Sequence, residues 1–136
     1  MVERFGVSME KDLLARFDSW CRRHNYKNRS EAIRDLARGA LVEEAWEKGG
    51  TDTAAVLFLV YEHHFSELAA RLDEFQHQHF RKIISTLHVH LDHDNCLEVV
   101  LLRGKARELR SIGNTLLAQR GVKHGRLIPA ITRRAL

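Results

Sequence analysis

A chain of 136 residues with 44% hydrophobic and 29% charged residues has room for one ordinary domain or two very small ones, and it is too apolar to be disordered. No stretch approaches the roughly 20 apolar residues of a membrane span, and the N-terminus lacks the apolar core of a signal peptide, so the chain reads as a cytoplasmic protein with no membrane partner. The net charge of +4 permits nucleic-acid binding without proving it, although Arg22, Arg23, Lys27, Arg29, Arg34 and Arg38 crowd one short stretch. A disulfide between Cys21 and Cys96 has no support in a reducing compartment.

Residues 4–9 alternate: Phe5, Val7 and Met9 take one face, Arg4, Gly6 and Ser8 the other. That pattern predicts a short amphipathic strand. No second strand follows for about forty residues, so its backbone groups call for a partner strand, most simply the same strand of a second chain. Leu13, Leu14, Phe17 and Cys21 follow helical spacing and predict a helix over 10–24, broken at Asn25-Tyr26. Asn28 reads as an N-cap, with Glu31 completing a capping box. From there Ala32, Ile33, Leu36, Ala37, Ala40 and Leu41 form the stripe of a second helix running to about Trp46. Lys48-Gly-Gly50 is the clear linker, which divides the chain into residues 1–48 and 51–136.

The second half reads strand, helix, strand, strand, helix, strand. Residues 53–61 are almost wholly apolar, which predicts a strand covered on both faces. Leu68, Leu72 and Phe75 mark a helix, and residues 82–91 and 96–103 a hairpin. Leu109, Ile112 and Leu116 mark a further helix, stopped near Gly121. A last strand near 126–131 carries the lone proline, Pro129, which suits a sheet edge. This is the split β-α-β order, α+β with a ferredoxin-like or ACT-like second domain whose two helices cover one face of a four-stranded sheet. Leu87, Val89 and Leu91 are expected to point toward those helices, so His88 and His90 point from the opposite, uncovered face. Another copy would then cover that face.

Seven of the nine histidines fall between positions 63 and 93. Alternating residues of a strand share a face, so His88 and His90 present two imidazoles side by side, and the turn Asp92-His93-Asp94-Asn95 returns Cys96 beside them. Two imidazoles and a thiol at a hairpin end make a transition-metal site of mixed nitrogen and sulfur character, although scattered histidines also decorate ordinary surfaces. Helical angles put His79 on the stripe of Leu68, Leu72 and Phe75 and leave His77 free on the opposite side.

The strand, the two helices and the run Asn28-Arg-Ser-Glu-Ala-Ile-Arg-Asp35 resemble a ribbon-helix-helix DNA-binding domain. Together with Tyr61-Glu-His63, Thr86-Leu-His-Val-His90, Asp94-Asn-Cys-Leu-Glu98 and Ala118-Gln-Arg-Gly-Val122, they make the chain resemble the nickel-responsive transcriptional regulator (NikR) family over roughly residues 3–127. The resemblance implies a Ni(2+) site of His88, His90 and Cys96 from one subunit and His77 from a facing one. It also implies a homotetramer built as a dimer of dimers and bound to double-stranded operator DNA. Planar three-imidazole, one-thiolate ligation suits Ni(II) or Cu(II), and the choice of nickel rests on the resemblance. Glu98, Gln76 and Tyr61 read either as groups orienting those ligands or as ordinary packing residues.

Paired strands of a dimer would lay Arg4, Gly6 and Ser8 into a major groove, while Arg29 and Ser30 hold phosphate at a helix start. Relatives commonly carry larger hydroxyl residues where Gly6 and Ser8 stand, and the loop around His64, Phe65 and Ser66 lacks the basic residues that some use on DNA. The resemblance further implies a second cation site, often potassium, at Glu31 and Asp35; Asp35 has rival partners in Arg34 and Arg38. His63 reads as an exposed histidine with at most a share in weaker metal binding. The function implied is a nickel-dependent repressor of nickel uptake or utilisation genes. The rivals are a zinc enzyme, for which no nucleophile–base pair stands out, and a ribbon-helix-helix regulator responding to another metal or a small ligand.

Overall fold

The structure is a computed structural model and describes residues 1–64 and 66–131. Phe65, named above as part of a loop, lies outside the described residues. The chain forms two compact units, Met1–Ala40 and Leu41–Leu136. The division falls within a helix, upstream of the glycine pair where composition places the linker.

The first unit begins with ten residues that form no hydrogen-bonded strand. The alternation over 4–9 predicts one, but a ladder needs a second strand, and among the described residues none pairs with this segment. Helix α1 spans Lys11–Arg23. It stops because Asn25 adopts a left-handed backbone at φ 60°, letting the Tyr26 amide donate to the Cys21 carbonyl at 3.0 Å. Helix α2 spans Arg29–Lys48. Its start is capped by Asn28, whose Oδ1 accepts from the Glu31 amide at 2.9 Å.

This unit has too little inside it to stand alone. Cys21 and Ala32 are its buried apolar residues, while Phe5, Val7, Leu13 and Leu36 are 75%, 56%, 48% and 50% exposed. A chain of this size folding by itself would hide such side chains.

The second unit contains β1 (Asp52–Glu62), α3 (Ser66–Gln78), β2 (Ile83–His90), β3 (Asn95–Lys105), α4 (Ala106–Leu117) and β4 (Val122–Ala130). The strands form one antiparallel sheet in the order β2-β3-β1-β4, the predicted ferredoxin-like topology. Pro129 lies on edge strand β4, where its missing N–H costs least. The core lies between one sheet face and the two helices, with Leu57, Leu59, Val100 and Leu102 from the sheet meeting Leu68, Leu72, Leu109 and Leu116. Trp46 joins this core, which explains why the last turns of α2 belong to the second unit. The Gly49 carbonyl accepts from the Arg107 amide at 3.0 Å, so the glycine pair is fastened to the start of α4. Gly113 brings α4 close to β4: a Cβ there would lie 2.7 Å from Leu127 Cδ2.

Strand β1 buries Ala55, Leu57, Leu59 and Tyr61 against the helices and leaves the alternate residues half-buried, so cover for its second face would have to come from outside the chain. One expectation about the sheet needs correction: the faces of β2 are reversed. His88 pairs with Glu98 and His90 with Cys96, and those partners are buried on the helix side of the sheet. Leu87 and Leu91 turn away, 60% and 51% exposed. The physical reason is that both sheet faces are apolar, so leucines alone do not identify the inner one. A strand read one residue out of phase inverts completely. The open face therefore carries Leu87, Val99, Phe58 and Arg126 in one row, Leu101, Val56 and Ile128 in the next, and Val89, Leu97, Val60 and His124 in a third, so it holds His124 but neither His88 nor His90.

Candidate functional site

The end of the β2–β3 hairpin is held by its turn. Asp92 Oδ1 accepts from the amides of Asp94 and Asn95, both at 2.8 Å, and the Asn95 side chain, followed by those amides, draws the Asp92 carboxyl below the usual carboxylate range. With the turn fixed, the register places Cys96 directly across from His90 on one side and Tyr61 on the other. Cys96 is fully buried and reduced.

Its sulfur lies 3.5 Å from His90 Nδ1 and 3.5 Å from His63 Nδ1, and the ligand atoms of these three residues all fall within 4.8 Å of one another. The His88 ring stands beside them, its centroid 5.0 Å from that of His90. The chain thus brings together His88, His90 and Cys96, and adds His63. His77 does not join this cluster. It sits exposed in the last turn of α3, while His79 packs on Phe75 with ring centroids 4.4 Å apart.

His63 is exposed, as expected, and the structure adds that it stands beside the thiol. The pairing of Tyr61 with Cys96 puts the chain two residues beyond Tyr61 next to the thiol, and the His63 amide donates to the Asp94 carbonyl at 2.6 Å. The signal was the end of strand β1 rather than histidine spacing.

A polar network lies behind the histidines. Tyr61 Oη lies 3.2 Å from His88 Nδ1. Gln76 donates to Glu98 Oε1 at 2.6 Å and accepts from the Thr86 hydroxyl at 2.8 Å. Burial, with the Glu98 and Cys96 charges, pushes the Tyr61 phenol well above its ordinary range, so it stays protonated. If His88 Nδ1–H donates to Tyr61, the lone pair of His88 Nε2 is left free for a metal. Burial likewise raises the Cys96 thiol, assisted by the Asp92 and Glu98 charges. A buried thiol beside imidazoles has the donor chemistry for a borderline ion such as Ni(II), which would bind it as thiolate.

In the first unit, Arg4, Arg29 and Ser30 line one cleft of about 550 Å³ with Phe5, Val7 and Ile33. Arg29 makes a two-pronged pair with Asp18 of α1, Nε to Oδ1 and Nη2 to Oδ2 both at 2.8 Å, which holds the Asp18 carboxyl below its usual range. Three of its five N–H donors stay available to an anion. Gly6 and Ser8 lie in the exposed leading segment. Asp35 accepts from Tyr26 at 2.9 Å and from Arg38 at 3.1 Å, the rival partner named above, and Glu31 contributes its amide to the Asn28 cap.

Comparison with known proteins bears directly on these features. Residues 3–44 match the model of the ribbon-helix-helix protein, copG family, and residues 54–130 that of the NikR C terminal nickel binding domain. A Geobacter sulfurreducens protein named "Putative nickel-responsive regulator" is 53% identical over 129 residues, covering 95% of this chain and 93% of that protein. Proteins of the same name from Desulfovibrio desulfuricans and Caldanaerobacter subterraneus subsp. tengcongensis are 55% identical over 90% and 47% identical over 96% of this chain, covering 88% and 85% of their own lengths. With both halves matched in order and the helix-flanked sheet in place, the chain belongs to the nickel-responsive regulator family, whose members are transcriptional regulators and not enzymes.

Proposed function

We propose that this protein is a nickel-dependent repressor of genes for nickel uptake or use, acting in the cytoplasm on double-stranded operator DNA as a homotetramer. Residues 1–48 read DNA and residues 51–136 sense metal. The observation that carries this reading is the convergence of His88, His90 and buried Cys96 at one hairpin end, on a face shared with Tyr61 and Glu98.

The nickel site consists of these three residues and His77 of a facing subunit. His77 is exposed on α3 and outside the in-chain cluster, which leaves it able to reach another copy. His63 stands beside the thiol in the single chain, close enough to share in holding the metal. Nickel, when bound, would supply a doubly charged centre held by residues of two subunits. For that to regulate DNA binding, the metal must favour the DNA-competent arrangement over the alternatives by its own differential affinity.

On DNA, Arg4 donates to a base edge, Gly6 permits close approach of the backbone, Ser8 meets a base or phosphate, and Arg29 and Ser30 hold phosphate. Glu31 and Asp35 offer oxygens to a potassium ion. Because Asp35 already balances Arg38, that site is weak and secondary. Two apolar surfaces support the assembly: the exposed face of the first unit for the dimer, and the open sheet face of the second for joining dimers.

The test is selection of genomic fragments by the purified protein with and without nickel. Enrichment of fragments upstream of nickel transport or nickel enzyme genes only when nickel is present supports the reading. The same fragments enriched equally without metal would overturn it.

A further inference from the structure

Strand β4 joins the sheet with an irregularity. His124 pairs with Val60 and Val122 with Tyr61, so Lys123 is an extra residue with no counterpart on β1. Such a bulge bends a strand locally and re-aims the side chain it carries. Here it sends Lys123 past the end of β1 to the first residue of β3, where its Nζ donates to Asn95 Oδ1 at 2.8 Å. Asn95 immediately precedes Cys96.

The other polar groups of Asn95 are already committed. Its amide donates to Asp92 Oδ1 at 2.8 Å, its side-chain Nδ2 donates to both Asp92 carboxylate oxygens at 3.0 Å, and its carbonyl accepts from the Leu91 amide at 2.9 Å. With Nδ2 held on a carboxylate, the side-chain amide cannot flip without setting oxygen against oxygen, so Oδ1 is fixed facing away. Lys123, itself exposed, meets it there. The result is a brace from β4 past the end of β1 to the β2–β3 turn, and the Asp92 bonds carry it on to the Asp94 amide.

We propose that Lys123 is a positioning residue of the metal site, bracing Asn95 so that the backbone already presents Cys96 opposite His90 before an ion arrives. The proposal rests on the reading of His88, His90 and Cys96 as nickel ligands. Lys123 acts through Asn95 rather than on the ion. A turn held in its binding geometry loses less freedom when the ion binds and opens less often to release it, so the brace bears on both affinity and release. One hydrogen bond at an exposed position contributes modestly, so its loss shows as a several-fold change rather than as loss of binding.

The experiment compares full-length wild type with Lys123→Met, Lys123→Arg, Asn95→Ala and the double variant Lys123→Met/Asn95→Ala. Release of nickel to excess chelator is followed by loss of the sulfur-to-nickel absorption, and amide hydrogen exchange is measured on the metal-free proteins. Lys123→Met keeps the apolar stem and loses the donor. It releases nickel roughly three- to tenfold faster and exchanges the Asp94 and Asn95 amides faster by a similar factor, with the absorption band unmoved because the ligands are the same. Lys123→Arg restores both rates to near the wild-type values, and the effect of Lys123→Met vanishes in the Asn95→Ala background. Wild-type release and exchange in Lys123→Met, or an undiminished effect of Lys123→Met in the Asn95→Ala background, would overturn the proposal. Absence of the absorption band from the nickel-loaded wild type would instead overturn the sulfur-site reading beneath it.

Discussion

Cys96 and Arg4 carry most of the chemistry assigned to single residues. Because burial holds the Cys96 thiol protonated, nickel binding must release its proton, and the imidazoles must also be neutral. Affinity should therefore fall as pH drops, by about tenfold per pH unit for each proton released. Calorimetry at several pH values and in buffers of different ionisation enthalpy measures that release directly; an affinity flat from pH 8 to 6 would contradict it. Arg4→Ala removes the proposed base contact and should cost about 1–3 kcal/mol while relaxing sequence preference. Arg29→Ala should weaken binding to all sequences alike, since phosphate carries no base identity. Competition binding with operator and scrambled duplexes at one salt concentration separates the two.

Among the elements, the junction of α1 and α2 and the packing of α4 make quantitative claims. Asp18 is held below its ordinary range by Arg29, so the pair contributes stability above the unfolded carboxyl value near 3.8, and loses it as pH falls through the lower folded value. Asp18→Asn should therefore lower the stability of the first unit at neutral pH, with the difference from wild type vanishing in strong acid. Chemical denaturation followed by Trp20 fluorescence reads this. In the second unit, Gly113→Val must displace Leu127, and should cost about 1–3 kcal/mol in thermal unfolding.

The elements were also the level at which the sequence was most readable. Asn28 announced α2, Asn25 ended α1, and the strand and helix order of the second half gave the sheet topology. What alternation did not supply was the facing of β2. Leu87, Val89 and Leu91 looked inward because apolar residues usually are, whereas here both sheet faces are apolar and only the pairing of His88 with Glu98 decides. His63 was hidden for a related reason: its place beside Cys96 follows from the β1–β3 register, a long-range property that local spacing does not encode.

As a whole, the molecule exposes two apolar surfaces that the single chain does not cover. Phe5, Val7 and Leu36 belong to the first unit, and Leu87, Leu101 and Ile128 to the open sheet face. The account expects sedimentation to show a tetramer at micromolar concentration, and Leu101→Glu/Ile128→Glu to give dimers that still bind DNA non-specifically. A wild-type monomer would contradict both surfaces at once. The central claim concerns the metal: nickel regulates DNA binding by drawing His77 of one subunit to the His88, His90 and Cys96 of another. Operator-binding curves with and without nickel, at one fixed salt concentration, test this most directly by comparing wild type with His77→Ala. The wild type should gain affinity with nickel, and His77→Ala should remain folded, keep its non-specific binding and show no nickel-dependent gain. A full nickel response in His77→Ala would contradict the account.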